Sequence, residues 1–102
     1  MFAKNGNELV KIYFKDIVFI SGAKEYASIH LMSRRILVYK RMKEFENILP
    51  DLFIRIHNSY IINTTHIQRI DKNYIVIGSK NIPISQTYRS RIKDFVAGIS
   101  NY

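Results

Sequence analysis

The sequence predicts a mainly β domain: elongated antiparallel sheets with one short mid-chain helix and a helix at the C-terminus. Three observations predict it. Many short runs alternate apolar and polar residues with a period of two. Turn-forming clusters, Asn5-Gly6-Asn7, Asp71-Lys72-Asn73 and Gly78-Ser79-Lys80-Asn81, separate those runs at close spacing. Only two segments carry the helical period instead. The 102 residues, 47% of them hydrophobic, suffice for one domain, residues 1–102, with a real core.

The elements follow in chain order. Val10, Ile12 and Phe14 alternate with Lys11, Tyr13 and Lys15, which predicts a first strand running to residue 15. "DIVFISG" is a short continuous apolar run and predicts a more deeply buried strand. "YASIHLM" alternates again, and "SRR" turns the chain into "ILVYK". "RMKEFENIL" puts Met42, Phe45, Ile48 and Leu49 on one helical face, and Pro50 ends it. "FIRIH", "YIIN", "HIQRI", "YIVIG" and "NIPIS" are strands in quick succession. In "QTYRSRIKDFVAGI", Tyr88, Ile92, Phe95, Val96 and Ile99 share a face, while Arg89, Arg91 and Lys93 point elsewhere.

Charge bounds the partner. Sixteen Lys and Arg against eight Asp and Glu give +8, with a pI near 9.9. A domain this basic carries the electrostatic footprint of a polyanion binder: nucleic acid first, an anionic membrane surface second. No apolar run is long enough to span a bilayer, and no signal peptide opens the chain, which implies a cytoplasmic protein. Zero cysteines exclude disulfides, thiolate zinc sites and cysteine nucleophiles.

Enzymatic chemistry finds little support. His30, His57 and His66 form no HxH or HxxxH pair, so no metal site is expected. Ser59 lies two residues from His57, but acids are scarce there and no GxSxG elbow is present. No Gly-rich stretch forms a phosphate cradle, and no cofactor is implied. The interleaved tyrosines, Tyr13 to Tyr102, suit stacking on single-stranded bases or RNA, yet no RNP-like run accompanies them.

Polar strand ends are the remaining feature. "SGAKEYAS" offers Lys24 and Glu25; "IHNSY" offers His57, Asn58 and Ser59; "ISQTYR" offers Ser85, Gln86, Thr87 and Arg89. Asn and Gln pair bidentately with adenine, Lys contacts guanine, and Glu accepts from the cytosine amino group. Taken singly, each is more readily a capped turn than a reader of bases; three such loops in a domain of this charge shift the balance. Both helices also open with cations: Lys40, Arg41 and Lys43 in the first, Arg89 in the second, which has no acid before Asp94. The helix dipole disfavours cations there, and a bound phosphate would reverse that sign.

These blocks resemble the LytTR DNA-binding domain family. "DIVFISGAKEYASIHL", "FIRIHNSYIINTTHIQRI" and "IPISQTYRSRI" match its three signature blocks over about residues 8–96, with Phe53, Arg55, His57, Ser59, Tyr60 and Asn63 in register. The resemblance implies sequence-specific duplex DNA binding by a bacterial transcriptional regulator, the output domain of a two-component response regulator. Loops would enter successive major grooves at paired sites upstream of promoters, with weak homodimerisation on the DNA. The alternative is a single-stranded nucleic-acid or RNA binder. Base contacts are expected from Lys24, Glu25, Asn58 and Gln86, and phosphate contacts from Tyr39, Lys43, Ser59 and Arg89, with Lys40, Arg55 and Thr87 beside them. Arg55 and His57 have two roles open, gripping DNA or bracing the turn, and Asn63 is expected to close the following turn. Many members carry Arg where this chain has Gln86, which implies a different preferred base there.

Overall fold

The computed structural model describes residues 1–99; Tyr102 lies outside the described residues. Ten strands and two short helices follow one another: β1 (Phe2–Asn5), β2 (Glu8–Lys11), β3 (Ile17–Ala23), β4 (Tyr26–Leu31), β5 (Arg35–Val38), α1 (Met42–Ile48), β6 (Phe53–His57), β7 (Tyr60–Asn63), β8 (Ile67–Ile70), β9 (Tyr74–Ile77), β10 (Lys80–Pro83) and α2 (Arg89–Ala97). Every pairing is antiparallel. The strands form a hairpin β1–β2, a five-stranded sheet in the order β5-β4-β3-β7-β6, and a three-stranded sheet in the order β10-β9-β8. The molecule is elongated, 45 × 24 × 23 Å.

The five-stranded sheet is the middle layer, and this explains the continuous apolar run. Ile17, Val18, Phe19 and Ile20 are all buried because β3 is central and covered on both faces. Ile17, Ile20, Ile29, Ile36 and Ile61 join Met42 and Phe45 of α1 and Ala3 and Ile12 of the N-terminal hairpin region in one core. Val18, Phe19, Ile56 and Ile62 join Ile75, Ile77, Ile82 and Ile92 of the second sheet and α2 in the other. A register shift between Ile17 and Phe19 lets Val18 and Phe19 serve the same core despite being adjacent. β-Branched isoleucine suits these pleated surfaces, and each full burial stabilises by about 1.5–3 kcal/mol. Pro83 is accommodated because β10 is an edge strand.

Three expectations need correction. The first strand ends at Lys11, and Phe14–Asp16 form a 3-10 turn: β2 has only β1 to pair with, so the alternation outruns the pairing. The mid-chain helix buries Met42 and Phe45, and Leu49 packs against the same core just past its end, but Ile48, at the edge of that face, is exposed. That helix does not open on cations alone. Glu44 lies in its first turn and accepts from the Arg41 backbone N–H at 2.8 Å, half of a capping box. In α2 the first turn carries no acid, as expected, and a 3-10 turn over Gln86–Tyr88 precedes it.

Candidate nucleic-acid interface

The β6–β7 turn is the centre of the site. His57 pairs with Tyr60, so Asn58 and Ser59 form the two-residue connection. A register shift between Arg55 and His57 tightens the strand before it, with Ile56 fully buried beneath. The turn's polar groups are nearly all committed. Arg55 donates from Nη2 to Asn58 O at 2.8 Å and from Nε to His57 O at 3.3 Å. His57 Nδ1 accepts from the Ser59 backbone N–H at 3.0 Å. Through these bonds both side chains hold the turn from behind, and the Arg55 side chain is only 14% exposed. The Asn58 side chain is exposed at the tip.

Backbone hydrogen bonds tie this turn to both neighbouring polar loops. Gly22 N–H donates to Ser59 O at 2.9 Å, two residues from Lys24 at the tip of the β3–β4 hairpin. Ser85 N–H donates to Ile56 O at 2.9 Å, which fixes the start of the Gln86–Tyr88 turn. The structure therefore puts Lys24, Asn58 and Gln86 on three linked turns, the Asn58 turn being bonded to both of the others. All three side chains are exposed. Lys24 also holds φ at 57°, in the left-handed region that costs a non-glycine residue about 1 kcal/mol.

The other expected residues divide into engaged and outward-facing ones. Glu25 accepts from Tyr39 Oη at 2.9 Å and from Arg41 Nη2 at 3.0 Å. The Tyr39 hydroxyl and then Arg41 hold its carboxyl below the usual range. Glu25 thus positions Tyr39, whose ring also meets Tyr26 edge-on at 5.1 Å. Lys40 leans over the Phe45 ring, 5.7 Å from its centroid. Lys43 and Thr87 are exposed. Arg89 is half-buried and donates to Lys72 O and to Asn73 Oδ1, across to the β8–β9 turn.

Other side chains of the site gave no sign of themselves in the sequence. Glu46 of α1 accepts from Arg55 Nη1 at 2.9 Å and from Arg91 Nη1 of α2 at 2.7 Å. Burial opposes ionisation of Glu46, but the two arginines together outweigh it, and its carboxyl sits below the usual range. Both guanidiniums stack on Tyr88, which reads in the sequence as a helix-face residue. The pairing joins residues 45 positions apart, and no local spacing signals it.

The histidines occupy separate places. His30 stacks on Phe19 and hydrogen-bonds Ser21, and His66 contacts Lys15 O. His57 faces the backbone of Ser59 rather than its hydroxyl. Among the described residues, no group of three His, Cys, Asp or Glu side chains could hold a metal ion. No helix among them is long and apolar enough to cross a membrane.

Comparison with known proteins agrees with this architecture. The family model described as the LytTr DNA-binding domain matches residues 7–97. The chain is 36% identical over 80 residues to accessory gene regulator protein A of Staphylococcus aureus strain N315, covering 76% of this chain and 33% of that protein. It is 28% identical over 95 residues to sensory transduction protein LytT of Bacillus subtilis strain 168, covering 86% of this chain and 39% of that one. The chain thus spans between about a third and two fifths of these relatives' length. A solved LytTr DNA-binding domain from Bacillus cereus superposes with a TM-score of 0.82 at 22% identity, over 94% of each chain, and shares the fold.

Proposed function

This chain belongs to the LytTr DNA-binding domain family, and from that membership we propose that it binds duplex DNA sequence-specifically as the reading part of a transcriptional regulator. The observation that carries the proposal is the linkage of the three polar turns through Gly22–Ser59 and Ser85–Ile56 on a chain of net charge +8. Stiff strands presenting polar tips suit insertion into successive major grooves. Lys24, Asn58 and Gln86 read base edges; Glu25 acts beside them chiefly by holding Tyr39. Lys43, Lys40, Tyr39, Ser59 and Thr87 grip phosphates. Arg55 braces the Asn58 turn, and Arg89 grips the backbone while anchored to the β8–β9 turn.

The relatives are named as a gene regulator and a sensory transduction protein. We extend to this chain the corresponding division of labour: the domain reads paired promoter-upstream sites, forms a weak dimer on them, and answers to a phosphoacceptor receiver domain in a two-component system.

The test is selection of bound duplexes from a random pool at stated salt, followed by competition with single-stranded oligonucleotides. A defined duplex motif that single strands do not displace supports the reading. Displacement by single strands at equal nucleotide concentration rejects it in favour of a single-strand or RNA binder.

A further inference from the structure

Tyr88 touches the side chain on which the proposed specificity turns. Its hydroxyl donates to Asn58 Oδ1 at 3.3 Å. Its ring lies beneath two guanidiniums, with Arg55 Cζ 5.4 Å and Arg91 Cζ 4.8 Å from the centroid. Both guanidiniums are held by Glu46, at 2.9 and 2.7 Å. We propose that Tyr88 is a specificity-determining residue: it turns the Asn58 amide with its oxygen towards the protein and its amino group towards DNA. The inference rests on the reading of Asn58 as a base contact.

The two ends of an Asn amide are nearly equal in size, so electrostatics decides which way it faces. Arg55 and Arg91 outnumber the single Glu46 carboxylate that holds them, so the surroundings of the phenol stay positive, and Arg55 also donates to the Asn58 backbone carbonyl. That field attracts the amide oxygen and repels the amino group. A bidentate pair with adenine needs both ends at once, the oxygen for the N6 amino group and the nitrogen for N7. An oxygen drawn back to Tyr88 is withheld from the base edge. The amino group that remains suits edges presenting acceptors, N7 and O6 of guanine or O4 of thymine. The Glu46 clamp therefore acts on base choice through Tyr88.

Binding-site selection on wild type, Asn58→Ala and Tyr88→Phe tests this. The position whose preference disappears in Asn58→Ala marks the contact. At that position guanine or thymine is expected for wild type and adenine for Tyr88→Phe, with relative affinities changing by about tenfold. An adenine preference in wild type, or no change in Tyr88→Phe, overturns the inference and leaves Asn58 a reader. An unchanged logo in Asn58→Ala overturns the underlying reading, and the inference with it. A second measurement uses wild type alone, on duplexes carrying adenine or purine, which lacks the N6 amino group, at the marked position. Equal affinities are expected, and weaker binding to the purine duplex overturns the inference.

Discussion

At the scale of the residue, Asn63 and Lys24 show opposite uses of polarity. Asn63 is fully buried, and its Nδ2 donates to Ile17 O at 2.8 Å and Phe14 O at 3.3 Å. Its Oδ1 accepts from the Thr65 backbone N–H and hydroxyl, closing the turn as expected. Asn63→Ala would strand two carbonyls, and we expect a loss of about 2–3 kcal/mol in urea denaturation. Asn63→Asp should be worse, because a carboxylate would face those carbonyls. Lys24 instead keeps an exposed side chain on a backbone in the left-handed region. Lys24→Gly relieves the strain, offset by glycine's chain entropy, so stability should rise by about 0.5 kcal/mol while cognate DNA binding weakens. Base and phosphate contacts separate in the same way. Asn58→Ala should cost about 1–3 kcal/mol on the cognate duplex and little on random DNA. Lys43→Ala should weaken both alike and flatten the salt slope by about 0.9. Titrations at several salt concentrations read both.

At the scale of the element, Glu46 clamps α1 to β6 and α2 through one carboxylate. Its pKa is lowered in the fold, so the unfolded chain takes up its proton first as pH falls. The clamp's contribution is complete above the ordinary carboxylate range and is lost as pH drops through the lowered folded value. Glu46→Gln should therefore be less stable than wild type near neutrality, and the two should converge in acid. Urea midpoints across a pH series check this, and parallel curves would deny the clamp an ionic role. β3 makes a second point at this scale. It pairs with β4 on one side and β7 on the other, and its Gly22 N–H reaches Ser59 beyond the last paired residues. The strand that carries Lys24 at its end thus also fixes the turn that carries Asn58.

At the scale of the whole molecule, the long axis of 45 Å exceeds one helical turn of B-DNA, about 34–36 Å. A chain of this length can follow one face of the duplex across neighbouring grooves. On the proposed paired sites, two copies would contact each other only when the sites share a face. Inserting about 5 bp between such sites should abolish cooperative binding, and about 10 bp should restore it. Gel-shift titration on the spaced duplexes reads the cooperativity, and indifference to spacing would remove the proposed contact between copies.

The β-rich class, the buried central strand at Ile17–Ile20, both helices and the family are legible in the unfolded chain, because apolar period, turn chemistry and short signature blocks are local properties. Where the first strand stops, which of the polar residues face outward, and what Arg55, Glu25 and Arg89 hold emerge only with the fold. Those outcomes depend on partners far away in sequence: Glu46 with Arg91, Glu25 with Tyr39 and Arg41, Arg89 with Asn73. A long, flexible, charged side chain has no preferred partner until the backbone has folded around it, so its role belongs to the fold rather than to its neighbours in the chain.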